Sequence, residues 1–111
     1  MAGFSELATR IDGLTSRAAG VREDARLLVE IEDVLAEGYI EALRGEAKSR
    51  RLAERLERLV ATIEGPGMAV EIRSLALERR SLDARIGELR AHLSVMRKHF
   101  IRLGGGHPAR R

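Results

Sequence analysis

Apolar positions in the second half of the chain recur at alternating steps of four and three: Met68, Ile72, Leu75, Arg79, Leu82, Ile86, Leu89, Leu93, Met96, Phe100 and Leu103, with Arg79 the one polar member. This is the heptad of a helix whose seam must be covered by another helix. It predicts a helix over Met68–Leu103, roughly 54 Å long at ~1.5 Å per residue. A second stripe, Ile31, Leu35, Gly38, Ala42, Gly45, Ser49, Leu52, Leu56, Leu59 and Ile63, lies within a helical pattern that is continuous from Val21 to Ile63. Between the two stands Glu64-Gly65-Pro66-Gly67, the strongest helix breaker in the chain. Glycine permits positive φ, and proline lacks an N–H and disfavours helix in the residue before it. A turn this short between long helices makes them antiparallel neighbours. The predicted fold is therefore all-α: a coiled-coil-like antiparallel helical hairpin over residues 21–103 with its turn at 64–67.

The middle of the first stripe is made of small residues. Closure at Pro66 places Gly38, Ala42 and Gly45 opposite Ile86–Met96, so large side chains of the second helix are expected to meet a flat surface on the first. A small stripe on the second helix, Ala84, Gly87, Ala91 and Ser94, lies about 160° from the leucine seam at ~100° per residue. It reads as solvent-facing. Arg79 is expected near Ala53, Glu54 and Glu57. There it is either a paired, half-buried register device or a side chain extending to water.

Residues 1–20 carry a further stripe, Phe4, Leu7, Ile11, Leu14 and Ala18, continued at Val21. It predicts a helical segment over about Phe4–Ala19, with Gly13 and Gly20 as interruptions. This segment either folds back as a third helix or projects toward a partner. The choice matters because Leu27, Leu28, Ile31, Val34, Leu35, Tyr39, Ala42 and Leu43 cover close to half of the first hairpin helix, wider than the ~100° stripe that one neighbour covers. Closed two-fold dimers are the commonest solution for such a surface. Leu27, Ile31, Val34, Leu35, Tyr39 and Leu43 are accordingly the expected protein interface, and a helical bundle formed on oligomerisation is the expected assembly.

Gly104-Gly105-Gly106 is expected to end the second helix, with Arg97, Lys98, His99 and Arg102 placed favourably at the negative end of its dipole. The remainder of 104–111 reads as a disordered Gly/Arg tail.

Composition supports this plan and narrows the chemistry. Of 111 residues, 44% are apolar but only 3% aromatic, so Leu, Ala, Ile and Val must do the packing. There is no cysteine, which excludes disulfides, thiolate metal sites and thiol catalysis. Arg outnumbers Lys eighteen to two, a bias expected of GC-rich bacterial coding sequence. The first residues lack the basic start and apolar run of a signal peptide, and no apolar run is long enough to span a membrane. A cytoplasmic location is the default expectation.

The net charge of +3 is unevenly spread. Residues 1–46 hold ten acids and five bases, and residues 47–111 hold seven acids and fifteen bases. Opposed fields along a hairpin help to fix its register. They also give the turn end an electrostatic footprint for phosphate, at Lys48, Arg50, Arg51, Arg55, Arg58, Arg73 and Arg80. Against nucleic acid, acids are interleaved at helical spacing (Glu54–Arg58 is an ordinary i,i+4 pair), no aromatic residue lies in this region to stack on bases, and no recognition signature occurs. His92 and His99 are seven residues apart, where a chelating pair on one helix uses i,i+4. No catalytic, cofactor-binding or metal-ligating set is expected. The expected function is a non-enzymatic interaction or assembly protein that forms a homodimer and binds a protein partner through apolar helix faces. The alternative is a basic nucleic-acid-associated protein.

Overall fold

The computed structural model describes residues 3–20, 25–62 and 65–104. They form three helices, with no strand among the described residues: α1 (Phe4–Gly20), α2 (Ala25–Ala61) and α3 (Pro66–Arg102). Residues 21–24, 63–64 and 105–111, which include the start of the expected turn and the expected tail, lie outside the described residues.

Helix α3 begins two residues before the expected Met68. Gly65 is its N-cap in an extended conformation, and Pro66 takes the first helical position. A proline there loses nothing, because its missing N–H would have had no helical acceptor. The Gly65 carbonyl accepts from the Met68 and Ala69 N–H groups. At the other end, Gly104 adopts φ +96 and its N–H donates to the Ile101 carbonyl. This left-handed turn suits glycine and ends the helix where the glycine run predicts.

Helices α2 and α3 lie side by side and antiparallel, since partner numbers on α3 fall as those on α2 rise. Arg90 Nε donates to Glu46 Oε2 at 2.8 Å, Ser49 Oγ to Asp83 Oδ1 at 2.6 Å, and Arg55 Nη2 to Glu71 Oε1 at 2.9 Å. The glycines of the α2 stripe are required by this approach. A Cβ at Gly38 would collide with Leu93 Cδ2, and one at Gly45 would fall 2.9 Å from Ile86 Cγ1 and 3.2 Å from Phe4 Cζ. Leu75, Leu82, Ile86, Leu89, Leu93 and Met96 of the α3 seam are all buried.

The N-terminal segment folds back. Helix α1 runs unbroken through Gly13 and packs on both longer helices. Arg10 of α1 pairs with Glu37 of α2 at 3.0 Å, and Arg17 with Glu30 at 3.2 Å, so α1 runs antiparallel to α2. Leu7, Ile11 and Leu14 join Leu27, Ile31, Val34, Leu35, Ala42, Leu89, Leu93 and Met96 in one cluster. Burying each such side chain contributes ~1.5–3 kcal/mol. Helix α1 thus meets the apolar demand of the wide α2 face within a single chain.

Its coverage ends at Phe4. That ring lies beside the Gly45 backbone, with the Arg85 guanidinium carbon 5.8 Å from its centroid. Among the described residues, the turn-side part of the molecule is two helices wide. Its smaller core is Leu52, Leu75, Leu82 and Ile86, with Leu56 and Leu59 packed against it.

Candidate interaction surface

The residues expected at an interface separate into two groups. Leu27, Ile31 and Val34 are at most 2% exposed, Leu35 is buried and Tyr39 is half-buried. They are core and core-edge residues of one chain, because α1 supplies the covering helix that a second copy was expected to supply. Leu43 differs: it is 59% exposed.

Leu43 belongs to a stripe that the sequence reading missed. Val29, Ala36, Ile40 and Leu43 are all exposed and recur at heptad spacing along the outer side of α2, with Asp33 and Ala47 completing the run. Val29 and Ile40 are about half exposed. Neither α1 nor α3 covers this line. Its signal was available in the 29, 33, 36, 40, 43, 47 spacing, but the adjacent Leu27, Ile31, Val34 and Leu35 merge with it into one broad face.

Interhelical polar contacts define the flanks of the molecule. Glu46 and Arg90 bridge one flank. The hydrogen bond from Arg90 holds the Glu46 carboxyl below the usual carboxylate range, and the carboxylate raises Arg90 in turn. On the same flank Arg79, the polar seam position, donates from Nε to Ser49 Oγ at 3.2 Å and lies 3.8 Å from Asp83. Ser49 is buried and relays this contact to Asp83. The partners of Arg79 are therefore Ser49 and Asp83 rather than Glu54 or Glu57. Past Arg79, toward the turn, a shallow groove of about 410 Å³ is lined by Ala53, Leu56, Glu57, Val60, Ala61 and Arg79.

The seven cations of the turn end do not form one patch. Lys48 reaches Glu78 at 3.8 Å and Arg55 reaches Glu71 at 2.9 Å, both on the flank where α1 lies farther along. Arg51 and Arg58 are exposed on the α2 side of that flank. Arg50, Arg73 and Arg80 are exposed and, by helical spacing, belong to the opposite flank with Glu46, Asp83 and Arg90. A phosphate backbone would have to reach around the helix pair to meet all of them.

His92 Nδ1 lies 3.0 Å from Asp12 Oδ1 and so links α3 to α1. His99 contacts Arg102, and burial together with that cation lowers its pKa below the ordinary histidine value. No group of three or more His, Cys, Asp or Glu side chains converges as a metal site among the described residues. No helix among them is long and apolar enough to cross a membrane. No protein-family model matches the chain, and no curated protein or solved structure matches it either.

Proposed function

We propose that this chain is a non-enzymatic helical assembly protein that associates with itself and holds a protein partner through uncovered helix surface. The observation that carries the reading is the outer stripe of α2. Val29, Ile40 and Leu43 expose roughly half of their surface on a line that neither α1 nor α3 covers among the described residues. Single exposed apolar residues need no explanation, but a heptad run of them along one helix is the surface that helix-to-helix docking uses.

The absence of cysteine makes the test clean. Ala36→Cys places one thiol near the centre of the stripe without removing apolar area. Under mild oxidation it should give a covalent dimer, whereas Gly87→Cys on the exposed back of α3 should not. Equal yields from the two variants, or none from Ala36→Cys, would count against docking along this stripe.

The alternative, a nucleic-acid-associated protein, is favoured by exposed Arg50, Arg51, Arg58, Arg73 and Arg80. It requires duplex binding that weakens steeply as salt rises.

A further inference from the structure

One edge of the outer α2 stripe carries a charge at every seventh residue, and the sign changes once: Glu30, Glu37, Arg44, Arg51. The change falls beside Ile40 and Leu43, the exposed aliphatic side chains near the middle of the stripe. The stripe itself repeats the pattern. Asp33 stands on one side of its apolar centre, and Arg50 follows Ala47 on the other. A helix face that is acidic before an apolar centre and basic after it is complementary to its own copy turned end over end.

The contacts within the chain leave these charges within reach of a neighbour. Glu37 pairs with Arg10 and Glu30 with Arg17, yet 38% and 43% of their side-chain surfaces stay exposed. A carboxylate has two oxygens and accepts from more than one cation. Asp33, Arg50 and Arg51 are exposed, and Arg44, which pairs within α2 to Glu41, is exposed as well.

We propose that two copies dock α2 against α2 in antiparallel fashion, about a two-fold axis that passes between Ile40 and Leu43. This rests on the reading of the stripe as the surface of self-association and fixes its geometry. Ile40 meets the partner's Leu43, and Ala36 meets the partner's Ala47. Asp33 faces the partner's Arg50, Glu37 the partner's Arg44, and Glu30 the partner's Arg51. The two-fold axis makes each pair occur twice. Other arrangements bring like charges together. A parallel dimer stacks Asp33 on Asp33 and Arg50 on Arg50. Sliding the antiparallel pair by one heptad step sets Glu37 against Glu37 in one direction and Arg44 against Arg44 in the other. Charges beside a helix seam choose orientation and register in this way. Because the apolar centre is short, the ion pairs decide the arrangement more than the strength of the contact.

The test uses the full chain and disulfide exchange. In this register the two copies of Ala36 lie ~16 Å out of step along the axis at ~1.5 Å per residue. Ala36 and the partner's Ala47 are instead adjacent. An equimolar mixture of Ala36→Cys and Ala47→Cys in a glutathione exchange buffer should settle with the mixed disulfide about tenfold above its statistical share. Oxidation of Ala36→Cys without a reductant reports the stripe alone, because it also captures slipped pairings. Arg51→Glu sets a carboxylate against the partner's Glu30 and should weaken the dimer roughly tenfold, as read by light scattering over a dilution series. Arg80→Glu, exposed on α3 away from the stripe, should leave it unchanged. A statistical mixture, a preference for either single-variant disulfide, or equal weakening by Arg51→Glu and Arg80→Glu would overturn the antiparallel register. If the mixed disulfide fails to dominate while Ala36→Cys still outyields Gly87→Cys, self-association along the stripe stands and only the register falls.

Discussion

Two glycines in similar helical settings should respond to alanine with opposite signs. At Gly38 a Cβ collides with fully buried Leu93, whereas at Gly13 it meets nothing within 4 Å. Gly13→Ala should stabilise the protein by about 1 kcal/mol through helix propensity alone. Gly38→Ala gains the same increment but must overpack the α2–α3 contact, which costs ~1–3 kcal/mol. Denaturant unfolding should therefore show Gly13→Ala stabilised and Gly38→Ala neutral to destabilised. A gain at Gly38 equal to that at Gly13 would mean that the close approach is not real. Stability should also fall on the acid side. Because Glu46 is held below its ordinary value of 4.5, its contribution is complete above that value and is lost as pH falls through the lower folded value. Arg90→Gln should remove that part of the acid dependence, as read by thermal unfolding across the range. At this scale the sequence was partly legible. The heptad located the seam residues, and the small stripe foretold the glycine contacts. The Ser49–Arg79–Asp83 network was not legible, because side-chain direction on the seam decides whether Arg79 meets Ser49 or Glu57, and spacing alone does not fix direction.

Helix α1 is held by few side chains. Leu7, Ile11 and Leu14 are its buried hydrophobics among the described residues, with Phe4 partly buried at its end. An isolated helix of 17 residues is marginal in water, so α1 depends on this docking. Ile11→Ala should cost ~2–5 kcal/mol at a site so completely buried, and amide exchange in α1 should accelerate before exchange in α2 or α3. Uniform acceleration across all three helices would instead indicate one cooperative unit. The helical stripes of all three elements could be read from periodicity, because each buries one face. Which element covers which face could not. A wide apolar face on α2 states only that a second helix is needed; the periodicity, read as continuous from Val21, does not say whether that helix comes from the same chain or another. Pro66 at the start of α3 is a similar case: the residue that breaks one helix is also acceptable as the first residue of the next.

At the scale of the whole molecule the three helices make an elongated body of 62 × 27 × 20 Å, with a radius of gyration of 18.9 Å. A compact domain of this length would have about 13 Å. Elongation leaves much helix surface for docking, and the charge division gives that surface two ends of different character. The acidic edge of α2 is met by the arginines of α1, and its basic edge is left to the turn half. We propose that copies of the chain join through the outer stripe of α2 rather than through the face beneath α1. Light scattering at two concentrations, on the intact protein and on an Ile40→Glu, Leu43→Glu variant, tests it most directly. The intact protein should approach twice 12.3 kDa at the higher concentration, and the variant should stay at 12.3 kDa with its helical content unchanged. An intact protein that remains at 12.3 kDa at both concentrations, or a variant that dimerises as well as the intact chain, would contradict it.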